Sequence, residues 1–119
     1  MTATEYQTQA YKTLAKSTAE NISYLSFGLV AEVGEVADKI AKAVRRGEIS
    51  INNDEIIIKR GSGEELTQYI AHELGDVLWF VAMLAQRLGY SLEDVMKLNL
   101  DKLADRQARG VIIGDGDKR

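Results

Sequence analysis

Four acidic residues pose the main question in this sequence. Glu73 and Asp76 lie inside the apolar stretch "HELGDVLWFVAML", His72 to Leu84, and Glu32 and Glu35 repeat the same spacing inside "AEVGEVAD". Burying a carboxylate costs several kcal/mol unless a cation, a donor or a metal compensates it. At about 100° per residue, positions i and i+3 share a helical face, separated by about 60°. Two packed helices that each offer such a pair bring oxygen donors around one point. Hard oxygen donors select Mg²⁺ or Mn²⁺ over zinc. Four carboxylates carry about −4 and one divalent ion leaves about −2, so a polyphosphate ligand would need further cations. Asn99, Lys102 and Arg106 are the candidates, because the angular count puts them within or beside the Leu92, Val95, Met96 and Leu103 stripe of the last helix. Two structural readings compete: acidic pairs on solvated faces, or a buried ion-pair cluster such as Glu73 with Arg106.

These side chains need helices to position them. Thr4 with Gln7 reads as a capping box opening a helix over "TEYQTQAYKTLAK", with Tyr6, Ala10 and Leu14 on one face. A second helix is expected from about Asn21 to about Arg46, where Leu25, Leu29, Val33, Val36, Ile40 and Val44 recur at three- and four-residue steps. Arg45, Arg46 and Gly47 then supply C-terminal cations and a left-handed cap. "EISINNDEIIIKRGSG" switches to β-branched residues around Asn52, Asn53 and Asp54, which suggests a small hairpin or ordered loop. Ser62 with Glu65 forms a second capping box for a third helix that ends near Leu88, capped by Gly89. In that helix Ile70, Leu74, Val77, Val81 and Leu88 form the expected core stripe. Glu73 and Asp76 flank it on the side continued by Phe80 and Met83, so both carboxylates should face protein. Ser91 and Asp94 open a fourth helix that ends at Gly110. The expected class is all-α and four-helix bundle-like, with the hairpin or loop inserted between the second and third helices, in one domain over residues 1–119.

Composition narrows the functions. The 119 residues are 45% hydrophobic and 28% charged, ordinary for a globular protein. The absence of Cys excludes disulfides, thiolate zinc sites and cysteine nucleophiles, and a single His excludes a multi-histidine metal site within one chain. A formal net charge of −3 argues against nucleic-acid and membrane partners, both of which need a basic footprint, but allows one small anionic ligand. With no signal-peptide pattern or membrane-spanning run, the expected compartment is the cytoplasm. His72 reads as a surface or packing residue, and Trp79, Tyr6 and Tyr11 as core or interface residues. A di-iron carboxylate bundle is disfavoured, since neither acidic helix offers Glu-x-x-His.

Together these residues resemble the MazG family of all-α nucleoside triphosphate pyrophosphohydrolases. "GLVAEVGEVADKI" is similar to the family's glutamate-rich helix and "HELGDVLWFVAMLA" to its second acidic helix. "NLDKLADRQARG" resembles the Asn-x-x-Lys-x-x-x-Arg segment, and the "GDGDKR" ending resembles tails of many members. The resemblance implies a MazG-type fold and Mg²⁺-dependent hydrolysis of a nucleoside triphosphate between its α and β phosphorus atoms, with Mn²⁺ as a substitute. It implies Glu32, Glu35, Glu73 and Asp76 as metal ligands and Asn99, Lys102 and Arg106 as phosphate contacts, and among the acidic residues Glu35 is the expected base, through an unligated carboxylate oxygen. Lys102 and Arg106 would also neutralise charge on the leaving group. The resemblance further implies a homodimer or dimer of dimers with the site near a subunit interface. Ala31 stands where the family often has a second glutamate, and the segment between the two motifs is long. A phosphoribosyl-ATP pyrophosphohydrolase-like enzyme and a non-catalytic nucleotide sensor are the alternative functions.

Overall fold

The computed structural model describes residues 1–17, 21–59 and 63–116. In chain order these contain α1 (Ala3–Tyr11), α2 (Ile22–Arg45), β1 (Ile49–Asn52), β2 (Glu55–Ile58), α3 (Gly63–Arg87) and α4 (Leu92–Ala108). The all-α class with an inserted hairpin is the one the sequence implies. No helix among the described residues is long and apolar enough to cross a membrane.

Local chemistry sets most of the boundaries. The first helix is capped by Thr2 with Glu5, and not by Thr4 with Gln7 as the sequence suggested. Both pairs have the required spacing, but Gln7 is used elsewhere: its side chain is buried against α3 and α4. Asn21 caps α2, accepting from the Tyr24 N–H at 2.9 Å. At the other end Gly47 takes a left-handed φ of 66°. Its N–H donates to Val44 O, and the Glu48 N–H donates to Ala43 O, closing a Schellman motif that turns the chain into the hairpin. β1 and β2 pair antiparallel from Ile49↔Ile58 to Asn52↔Glu55. The two linking residues, Asn53 and Asp54, both have positive φ, as a type I′ connection requires. The proposed Ser62 cap lies outside the described residues, whereas the Ser91–Asp94 capping box opens α4 as expected.

Packing departs from the expected stripes. α2 lies along α3, while α1 packs on both α3 and α4. The buried cluster is Ala10, Leu25, Phe80, Ala82, Met83 and Leu92. Leu74 of α3 and Leu88 just past its end, Met96 and Leu103 of α4, and Val33 and Val44 of α2 are exposed, against expectation. The physical reason is that α1 and α4 cover only the Phe80–Met83 side of α3, leaving the adjoining apolar stripe without a second layer. Phe80 also packs where Gly28 brings α2 close: a Cβ on Gly28 would stand 2.2 Å from Phe80 Cε1.

The chain is open for its length. Its radius of gyration is 17.6 Å, whereas a compact chain of this size would have about 13 to 14 Å.

Gln7 ties the helices together. Its Nε2 donates to Ala82 O at 3.0 Å, and its Oε1 accepts from the Leu92 N–H at 2.9 Å. That N–H belongs to the first turn of α4 and has no partner within its own helix. Gln7→Leu keeps much of the volume but leaves buried polar groups unsatisfied, so denaturant unfolding should show a loss of about 2 to 3 kcal/mol.

Candidate functional site

The structure assembles Glu32 of α2 with Glu73 and Asp76 of α3. One carboxylate oxygen from each lies within 4.8 Å of the others. Glu32 and Glu73 are half-buried and Asp76 is exposed, so the trio borders solvent and is not sealed in the core. Local folding explains the placement. Phe80 seated on Gly28 fixes how closely α2 approaches α3, and Glu32 lies one turn beyond Gly28 while Asp76 lies one turn before Phe80.

Electrostatics within the trio are unfavourable. Partial burial raises the Glu32 carboxyl above its ordinary range, and the charges of Asp76, Glu73 and Glu35 push it further in the same direction. Three acid side chains gathered around one point, Glu32 held above its ordinary range and all three offering hard oxygen donors, form a site suited to a divalent cation.

Lys39 offsets part of the negative charge. Its Nζ lies 3.0 Å from Glu73 Oε1. This hydrogen bond and the Glu73 charge raise the lysine above its usual range, with Glu35 and Asp38 adding to the effect. Sequence reasoning looked to α4 for the cation and missed Lys39. The signal was there, because Lys39 follows Glu32 by two helical turns and Glu35 by one on the same face of α2. Asp38 is half-buried and forms an ion pair with Lys42.

A second missed neighbour comes from α1. Tyr6 packs against the core cluster, and its hydroxyl is held above its ordinary range by burial and by the Asp76 charge. Three helices therefore converge on this end of the α2–α3 pair.

The other candidates are placed differently. Glu35 is exposed and stands outside the trio, although its charge acts on both Glu32 and Lys39. Asn99 and Lys102 are exposed on α4, whereas Arg106 is buried, with 5% exposure. His72 is exposed. Trp79 is half-buried, donates from Nε1 to Thr13 Oγ1 at 2.8 Å and meets Phe80 edge-on, as a packing residue does.

Comparison with known proteins agrees with this geometry. The family model for the MazG nucleotide pyrophosphohydrolase domain matches residues 20–111, which include every acidic residue of the site. The Gene 37 protein of Mycobacterium phage L5 is 41% identical over 100 residues, covering 84% of this chain and 78% of that protein. YvdC of Bacillus subtilis (strain 168) is 39% identical over 90 residues, covering 73% of this chain and 83% of its own. Among solved structures, iMazG from Vibrio DAT 722 superposes with a TM-score of 0.54 at 27% identity, over 87% of this chain and 97% of that one. On these grounds the chain belongs to the MazG family of nucleotide pyrophosphohydrolases.

Proposed function

We propose that this protein is a metal-dependent nucleoside triphosphate pyrophosphohydrolase, a single domain over residues 1–119 that converts an NTP or dNTP to its monophosphate and pyrophosphate. The observation that carries this reading is the convergence of Glu32, Glu73 and Asp76 within 4.8 Å. Glu32, Glu73 and Asp76 would hold Mg²⁺, or Mn²⁺ in its place, with Glu35 completing the set from the same face of α2. When bound, the metal supplies Lewis-acid polarisation of phosphate oxygens and lowers the pKa of water.

The chain's own residues do the remaining work. An unligated carboxylate oxygen of Glu35, whose charge acts on Glu32, would accept a proton from the attacking water. Lys39 holds Glu73 in one orientation, which fixes a ligand oxygen before substrate arrives. Asn99 and Lys102 contact phosphate oxygens from α4. Arg106, buried on the same helix, would add fixed positive charge toward the departing pyrophosphate.

The working unit is a homodimer or dimer of dimers. Phe27 and Val30 of α2 are 75% and 70% exposed and Leu100 of α4 is 65% exposed, an unusual surface for a chain that functions alone. The large radius of gyration has the same origin, since the α2–α3 pair is a layer covered on one side only.

The direct test is pyrophosphate release from a panel of canonical and modified nucleoside triphosphates, with and without Mg²⁺ or Mn²⁺. Release should require metal and should fall by about 100-fold or more in Glu73→Gln. Near-normal turnover in that variant would remove Glu73 from the ligand set. Nucleotide binding without any turnover would favour the sensor function.

Stability should depend on pH in a defined direction. The Glu32 carboxyl titrates higher in the folded chain than in the unfolded one, so its contribution to metal-free stability is present at low pH and lost as pH rises through the raised folded value. Metal binding needs the ionised carboxylates. The rise in melting temperature produced by Mn²⁺ should therefore grow as pH rises through the raised Glu32 value, and Glu32→Gln should abolish that growth. A metal shift independent of pH in the wild type would contradict the assignment. For the assembly, Phe27→Asp with Val30→Glu should convert the sedimenting species to a monomer, whereas unchanged sedimentation would place the interface elsewhere.

A further inference from the structure

We propose that the cleft beneath the β1–β2 hairpin is the nucleoside pocket of this enzyme, and that Ile49, Ile58 and Tyr69 set its preference among bases. The proposal rests on the pyrophosphohydrolase reading above. The cleft has a volume of roughly 690 Å³ and lies between the second half of α2, the hairpin and the first turns of α3. That is within the size range of small-molecule sites, which are mostly apolar with a few polar groups.

The two sides of the cleft differ in chemistry. Ile49 of β1, Ile58 of β2, and Leu66 and Tyr69 of α3 form an apolar and aromatic side. Tyr69 is held in place by its hydroxyl, which donates to Glu65 Oε1 at 2.9 Å, leaving a half-exposed ring face for stacking. The opposite side carries Lys39, Lys42 and Arg46 of α2. Those cations are already engaged: Lys39 with Glu73, Lys42 with Asp38, and Arg46 with Glu48 at 4.0 Å. A pyrophosphate here would have to compete with three carboxylates for them. A neutral base need not, because it can stack on Tyr69 and use the same charged groups as hydrogen-bond donors and acceptors at its edge.

Position gives the same orientation. Lys39 lines the cleft and also touches Glu73 of the carboxylate trio, so the two sites are continuous. Lys39 is two turns beyond Glu32, about 10 Å along α2, and Arg46 lies roughly 10 Å farther. One nucleotide with its phosphates over the trio thus has its nucleoside directed beneath the hairpin. The inserted segment "EISINNDEIIIK" then has a role beyond linking α2 to α3: it supplies the two isoleucines that cover the base.

The test is calorimetry of the full chain, without metal, with each of the four common nucleoside monophosphates and separately with inorganic pyrophosphate. It compares wild type, Tyr69→Leu and Ile58→Trp, with pyrophosphate release measured in parallel and circular dichroism confirming the fold. Both positions are partly exposed, so the variants should fold. Monophosphate affinity should fall by roughly tenfold in Tyr69→Leu. Ile58→Trp, which narrows the cleft, should reorder the preference among bases, and pyrophosphate affinity should change in neither variant. Unchanged monophosphate affinity and base ranking in both variants would overturn the proposal, as would a wild type that binds no monophosphate or a parallel loss of pyrophosphate affinity. If the wild type also released pyrophosphate from a triphosphate, the enzymatic reading would survive that failure. Absence of release would sink the enzymatic reading, while the monophosphate titrations would still decide the cleft.

Discussion

Repulsion among Glu32, Glu73 and Asp76 is the constraint around which the chain is arranged. Carboxylate oxygens within 4.8 Å of one another at a partly buried site raise the cost of ionising Glu32. The packing of α2 on α3 has to hold them there. That packing centres on Phe80 seated against Gly28, next to the buried Leu25 and Met83, so apolar contact holds the helices together while the acidic face would drive them apart. Lys39 relieves part of the repulsion through Glu73, and a divalent cation is the natural remaining counter-charge. Under the proposed metal-binding role, stability of the metal-free chain would be traded for readiness to bind the ion.

The same helix pair explains the openness of the protomer. A layer of two helices buries one face well only when other elements cover it. Here α1 and α4 close one end, tied down by the Gln7 hydrogen bonds, and the hairpin covers the other. Between them Phe27, Val30 and Leu74 remain exposed. Self-association would cover this surface and leave the carboxylates near the seam between subunits.

Much of this was readable from residue types and spacing. Of the i, i+3 acidic pairs, Glu32, Glu73 and Asp76 do meet while Glu35 stands outside, and Gly47, Gly89 and the Asn-Asp turn marked the chain reversals at the right places. Periodicity was less reliable for burial. Leu74, Val33 and Met96 have the spacing of core residues yet lie exposed, because period shows that a face is apolar but not whether this chain or another covers it. The α4 cations were read from their angular position, whereas the pairing of Lys39 with Glu73 was not read at all. A helical wheel of α2 alone would have placed Lys39 beside Glu35, but its pairing with Glu73 depends on the approach of two helices far apart in sequence. The Thr2 and Thr4 capping boxes were equivalent by spacing, and only the burial of Gln7 separates them.

The central claim is that Glu32, Glu73 and Asp76 act together on one metal ion. Electron paramagnetic resonance of Mn²⁺ titrated into the wild type and into Asp76→Asn tests it most directly. The wild type should remove the free-ion signal in proportion to protein concentration, and Asp76→Asn should leave most of that signal in place. Equal Mn²⁺ binding by the two proteins would contradict it.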